Sequence, residues 1–295
     1  APKTVQLFSI RGDLQKEQFI TNINFSGITF QYTGIGADKK ESGVIYMEGA
    51  HNCSIEECTF KNIGETAIHF GNGSIGNSIV GNNFSDMGSG AIIIEGGEKS
   101  SIKSYQSGLN RITDNTIESG GWINVGFNGG FKGMGISVNN AYRNIISYNL
   151  IHDFPYSGIV VGGNEASYNM IEYNHIYDIG KSLLSDMGGI YSWDRTDGLE
   201  IRGNKIHDIK CAVYGGNCIY LDDGVTHALI EKNLCFNSNT DLMNIKGAEN
   251  IIRYNILAFG DQGCIKRGSV TNWGGSVVAN FERNIMVSKG ASFYR

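Results

Sequence analysis

The chain has 295 residues and a formal net charge of −5, with 41 glycines against 2 prolines. It is long enough for a large core. The charge gives no electrostatic case for nucleic-acid binding, and no apolar run reaches membrane-spanning length. Abundant glycine without a collagen period points to many turns in an all-β protein.

The chain opens "APKTVQLFSIRG", without an initiator methionine or a signal peptide, as expected of a mature form or a fragment. Six cysteines follow: Cys53, Cys58, Cys211, Cys218, Cys235 and Cys264. They show no zinc spacing and read as small buried residues of a repeat core, although Cys211 and Cys218 are near enough to close a loop.

A repeat then dominates. "IEECTFKN" (55–62), "IVGNNFSD" (79–86), "ITDNTIES" (112–119), "ISYNLIHD" (146–153), "IEYNHIYD" (171–178), "IRGNKIHD" (201–208), "IEKNLCFN" (230–237) and "IRYNILAF" (252–259) share one form. Successive isoleucines lie 24, 33, 34, 25, 30, 29 and 22 residues apart. "FSGITFQY" (25–32) and "FERNIMVS" (281–288) look like degenerate outer copies. A further short strand follows in each unit, reading "AIHF", "AIII", "GISV", "GIVV", "GIYS", "CIYL", "LMNI" and "GCIK". These strands alternate with period two, so their apolar residues point one way. One such unit cannot bury its apolar face alone, whereas stacked units can. The expected fold is therefore a right-handed parallel β-helix of about ten coils, forming a single domain over 1–295.

Asn82, Asn115, Asn149, Asn174, Asn204, Asn233, Asn255 and Asn284 share one position and should stack into an internal hydrogen-bonded ladder. Asp86, Asp153, Asp178 and Asp208 recur four residues later and read as turn residues. His152 and His207 alternate with Tyr177 and Phe236 in one outward column, expected to be a surface stack rather than a set of metal ligands.

Regularity breaks at one corner. Insertions at 120–134, 179–188 and 209–217 lengthen the connection into the last strand of three coils, the last two on adjacent coils. Long loops along one edge of a solenoid build a groove wall. Registering the strands places Tyr191, Tyr220 and Asn244 in one outward column. Trp193, Asp222 and Lys246 fall in the next, with Glu95 and Asn139 preceding them and Arg267 following on a shift of register. Asp194 and Asp223 come one residue later, and Asp186 comes from the insertion at 179–188. Aromatic faces beside clustered carboxylates suit a sugar. Glycoside hydrolysis needs two carboxyls flanking the bond, and Asp186 and Asp222 are the pair this register brings together. Trp193 is then a sugar platform, with Asp194, Tyr191, Tyr220, Asp223, Asn139, Lys246 and Arg267 as further substrate contacts.

The segments "NLIHDFPYSGIVVGG", "IEYNHIYDIGKSLLSDMGGIYS", "IRGNKIHDI" and "YGGNCIYLDDG" resemble bacterial right-handed parallel β-helix proteins around glycoside hydrolase family 141. The resemblance runs from about Phe25 to Arg267. It implies an α-L-fucosidase- or xylanase-type activity using two aspartates, which map by motif to Asp186 and Asp222. It also implies a plant or algal polysaccharide as substrate and a secreted or periplasmic protein. Relatives often carry a tryptophan before G-I-Y-L, where this chain has Asn217 and Cys218. They also carry upstream coils, so missing N-terminal coils or a partner chain are expected to cap the solenoid here. No cofactor or metal is expected for hydrolysis. A polysaccharide lyase or uronate epimerase is the alternative, with Lys246 and Arg267 on a uronate and Ca²⁺ on Asp222 and Asp223. A non-catalytic carbohydrate-binding solenoid is the third reading.

Overall fold

The structure, a computed structural model, describes residues 2–36, 43–97, 103–123, 133–268 and 277–295. Each coil bends at its ladder asparagine. In one coil, Glu200–Arg202 runs into Asn204, Lys205–Ile209 leaves it, and Gly216–Leu221 closes the turn. The repeat octet is thus two strands joined at a corner, and a third strand follows. Like strands of successive coils pair in parallel, giving an 11-stranded sheet A and two 10-stranded sheets, B before the asparagine and C after it. This is the right-handed parallel β-helix that the repeat predicts.

The interior is built from the isoleucine columns. Ile68, Ile92, Ile136, Ile159, Ile190 and Ile219 pair in sequence along sheet A and are fully buried. In sheet C the inward column begins with Phe30, Phe60 and Phe84, whose rings stack at 4.8 and 5.0 Å. At about 25 cal/mol per Å² of apolar surface, such columns supply most of the gain on folding.

The asparagine ladder runs through all eight predicted positions. Asn82 Nδ2 donates to Asn115 Oδ1 at 3.0 Å, and the same bond repeats through Asn149, Asn174, Asn204, Asn233 and Asn255 to Asn284. The aspartate column has a backbone cause: Asp86, Asp153, Asp178 and Asp208 all have φ between 54° and 63°. Asp and Asn tolerate that left-handed geometry better than most residues. The outward stack is present, with centroids 4.7 Å apart for His152–Tyr177, 5.3 Å for Tyr177–His207 and 4.4 Å for His207–Phe236.

All six cysteines are buried and free. Cys211 and Cys218 do not bridge: Cys211 packs on Gly216, and Cys218 lies beside Cys235. Among the described residues, no helix is long and apolar enough to cross a membrane.

Candidate functional site

The two insertions on adjacent coils zip together. Ser182 N–H donates to Lys210 O, Ala212 N–H to Leu184 O, and Asp186 N–H to Tyr214 O, at 2.8, 2.7 and 2.9 Å. The strand Met187–Trp193 is thereby extended to seven residues. Asp186 stands immediately before it, at φ 59°. Tyr156, from the preceding coil, fixes this corner by donating its hydroxyl to Asp186 O at 2.7 Å. The third insertion, 120–134, lies largely outside the described residues.

Asp222 enters from the opposite edge of sheet A, one residue past the strand Gly216–Leu221. Between the two acids lies the tyrosine pair that the register predicts. Tyr191 pairs with Tyr220 and Tyr220 with Asn244, and the two rings are 5.0 Å apart. Tyr191 donates its hydroxyl to Asp222 Oδ2 at 2.7 Å. The Tyr220 hydroxyl lies within hydrogen-bonding reach of both Asp186 and Asp222. Lys246 Nζ donates to Asp222 Oδ1 at 2.5 Å and stands 3.8 Å from Asp223.

These contacts give the two carboxyls different environments. Burial, and then the Asp222 charge, push the Asp186 carboxyl above its ordinary value; Tyr220 and Lys246 only partly offset this. Asp222 holds the ion pair with Lys246 and accepts from the Tyr191 hydroxyl and the Asp223 N–H. Burial pushes the Tyr191 and Tyr220 hydroxyls far up, and the neighbouring aspartates push them further. Both tyrosines are therefore held as neutral donors. Burial works against the Lys246 charge, but Asp222 and Asp223 outweigh it and keep the ammonium above its usual range.

Tyr191, Trp193, Asp194, Asp222 and Asp223 line an open recess of about 320 Å³. Asp186 lies outside this lining, across the tyrosines. The Trp193 indole lies over Gly162, its register partner on the coil before: a Cβ at that glycine would come within 2.1 Å of Nε1.

Two predicted contacts are placed elsewhere. Asn139 shares the Trp193 column but two coils earlier, away from the aspartates. Arg267 does not follow Lys246. It pairs with Ile245, because the strand Gly263–Arg267 keeps an unshifted register in which Lys266 pairs with Asn244. Lys266, not Arg267, therefore continues the tyrosine column. Tyr156 was not singled out from the sequence. Its signal was the Pro-Tyr of "NLIHDFPYSGIVVGG", one coil before Asp186.

The fold and this face define the class: a parallel β-helix solenoid with a recess of carboxylates and aromatics on one sheet. The chain belongs to the right-handed beta helix region family, whose model matches residues 11–192. No curated protein matches it. Among solved structures it is similar to a glycoside hydrolase, at 15% identity and a TM-score of 0.61, over 95% of this chain and 50% of that one. It is also similar to the Azotobacter vinelandii mannuronan C-5 epimerase AlgE4 A-module, at 10% identity and 0.59, over 94% and 77%. A third is PfbA, a surface adhesin of Streptococcus pneumoniae, at 15% identity and 0.63, over 93% and 71%. At these identities the likeness concerns the fold. The chain spans half the length of the glycoside hydrolase.

Proposed function

We propose that this protein is a glycoside hydrolase of the kind grouped around family 141, secreted or periplasmic, with Asp186 as general acid and Asp222 as its partner carboxyl. The single observation that carries this reading is the asymmetry of the two aspartates. Asp186 is pushed toward its neutral form by burial and by Asp222, whereas Asp222 is clamped by Lys246 and Tyr191. Two carboxyls in unlike environments are what cleavage of a glycosidic bond calls for.

In this mechanism protonated Asp186 donates its proton to the leaving oxygen. Asp222, its charge held by Lys246, acts on the opposite side of the sugar, on the anomeric carbon or on a water. Tyr191 and Tyr220 remain neutral and orient the carboxylates. Trp193, laid flat by Gly162, offers an apolar face to a sugar ring, and Asp194 and Asp223 accept from its hydroxyls.

A lyase or epimerase needs a free cation on the uronate carboxylate and a base beside it. Lys246 is engaged with Asp222 and Asp223 instead. Hydrolysis therefore fits the arrangement better.

The test is sugar release from plant and algal polysaccharides. Asp186→Asn and Asp222→Asn should each lower kcat by about 10²–10⁴-fold with the fold intact by circular dichroism. Wild-type rates in both variants would refute the assignment. Unsaturated product in the near ultraviolet would transfer the protein to the lyases.

A further inference from the structure

On the outer face of sheet C two histidines from adjacent coils meet. His175 Nε2 and His207 Nε2 are 2.8 Å apart. His175 stands outside the ring column of His152, Tyr177 and His207. It lies two residues before Tyr177 and faces outward with it, because Ile176 between them is buried. Its ring leans toward Tyr177 and His207, with centroids 4.8 and 5.1 Å away.

His207 is fixed on three sides. Tyr177 and Phe236 cover its two faces, at 5.3 and 4.4 Å between centroids. Its Nδ1 stands 2.7 Å from Asp208 Oδ2, and Asn237 Nδ2 donates to the other oxygen of that carboxylate at 3.3 Å. A carboxylate only accepts, so Nδ1 carries the proton and Nε2 keeps its lone pair, turned toward His175. Burial, and then the Lys205 charge, hold the His175 imidazole below its ordinary value, so His175 is neutral at pH 7.5.

Metal-ligating histidines are oriented in this way, by a carboxylate on the second ring nitrogen. The separation selects the geometry. With metal–nitrogen bonds of about 2.0–2.1 Å, nitrogens 2.8 Å apart subtend about 85–90° at the ion. That is the angle between neighbouring ligands of a square-planar or octahedral centre. A tetrahedral centre would need them about 3.3 Å apart. Among the described residues no third histidine, cysteine, aspartate or glutamate joins the pair, so water completes the coordination.

We propose that His175 and His207 form a site for a divalent transition-metal ion of tetragonal preference, Cu²⁺ or Ni²⁺, with Asp208 orienting His207. On binding, the proton between the two Nε2 atoms moves to His175 Nδ1, so both imidazoles stay neutral and no net proton is released. The ion links His175–Ile179 to Lys205–Ile209, the strands that lead into the two zipped loops. The site is separate from the aspartate recess and does not depend on the glycosidase reading.

The experiment is calorimetric titration of the full chain, free of any affinity tag, with CuCl₂ and with NiCl₂ at pH 7.5 in a non-coordinating buffer. Electron paramagnetic resonance of the Cu²⁺ form follows. At least one of the two ions should bind saturably, and the Cu²⁺ spectrum should be axial with coupling to two imidazole nitrogens. His175→Ala and His207→Ala should each weaken binding at least about tenfold, with a smaller loss in Asp208→Asn. His152→Ala and His227→Ala should bind as the wild type does. Circular dichroism reports the fold of each variant, and His175→Gln and His207→Gln repeat the test should alanine disturb the ring stack. No saturable binding of either ion, wild-type affinity in His175→Ala or His207→Ala, an equal loss in His152→Ala, or a Cu²⁺ spectrum without imidazole coupling would overturn the proposal.

Discussion

Asp186 is held in a state that costs the fold. Burial and the Asp222 charge raise its carboxyl above the ordinary value, so folding disfavours its ionised form. That cost is absent below the unfolded value of about 3.9. It grows as the pH rises toward the folded value and is constant above it. Asp186→Asn removes the penalty, because a neutral amide fills the same place. The variant should therefore melt about 1–3 °C higher than the wild type at pH 7, and the gap should close as the pH falls toward 3 in a calorimetric series. A lower melting temperature at pH 7 would mean that the carboxylate is stabilised by its surroundings. Asp186 was legible in the sequence because it falls in an insertion outside the regular aspartate column, and Asp222 because the strand register sets it beside Trp193 and Lys246. The contact that fixes the Asp186 corner was not, since Tyr156 comes from another segment of the chain. Arg267 was misplaced for a related reason. At "GCIKRG" the residue types fit either register, and only the ladder of backbone bonds fixes that Ile245 faces Arg267.

At the scale of the coil, two ladders rather than one tie the corners. Asn77 Nδ2 donates to Asn110 Oδ1, Asn110 Nδ2 to Asn144 Oδ1 and Asn144 Nδ2 to Asn169 Oδ1, at 2.9, 3.0 and 2.9 Å. These residues stand five before Asn82, Asn115, Asn149 and Asn174, so N-x4-N was present in the sequence as a signal. It was obscured because Leu199 and Ala228 interrupt it in the coils that carry the site. Cys58 stands in the main ladder's register. Its thiol faces Phe25 O and Glu56 O at 3.5 and 3.3 Å, mirroring the bonds of Asn82 Nδ2 to Ile55 O and Val80 O. Within the main ladder Asn149 bonds both neighbouring coils: its Nδ2 reaches Asn174 Oδ1 and Ile112 O, and its Oδ1 accepts from Asn115. Asn149→Ala strands several buried partners, each costing about 1–3 kcal/mol, so chemical denaturation should show a loss of at least about 2 kcal/mol. Gly162 has a different role. Its missing side chain is what lets the Trp193 indole lie across the preceding coil. Gly162→Ala should displace the indole and raise KM several-fold while kcat for bound substrate changes little. Steady-state kinetics with tryptophan fluorescence would read both effects, and an unchanged KM would remove Trp193 from the sugar platform.

Across the whole molecule, the scaffold and the site draw on different parts of each coil. Sheets B and C and their asparagine corners repeat with little variation. Variation concentrates where sheet C passes into sheet A, and there the zipped loops carry Asp186 to the groove. This division made the fold readable from spacing alone, whereas the site needed the coils stacked before its residues met. Stacking also sets how stability is distributed. Each coil touches only its neighbours, so stability is a sum of coil and interface terms, and opening proceeds from weakly buried ends. In the 295-residue chain the strand Ile176 belongs to, His175–Ile179, is flanked on both sides. Ile285–Val287, by contrast, is paired on one side only among the described residues, and Ile285 is 59% exposed. Native-state hydrogen exchange should therefore protect the amides of His175–Ile179 at least about 10²-fold more than those of Ile285–Val287. Because the site sits three coils from that end, its amides should fall between the two. Asn174→Ala should lower protection on the coils to either side before it lowers it at the ends. Uniform loss along the stack would instead show that the solenoid opens as one cooperative unit, and the site would then be no more stable than its outermost coil.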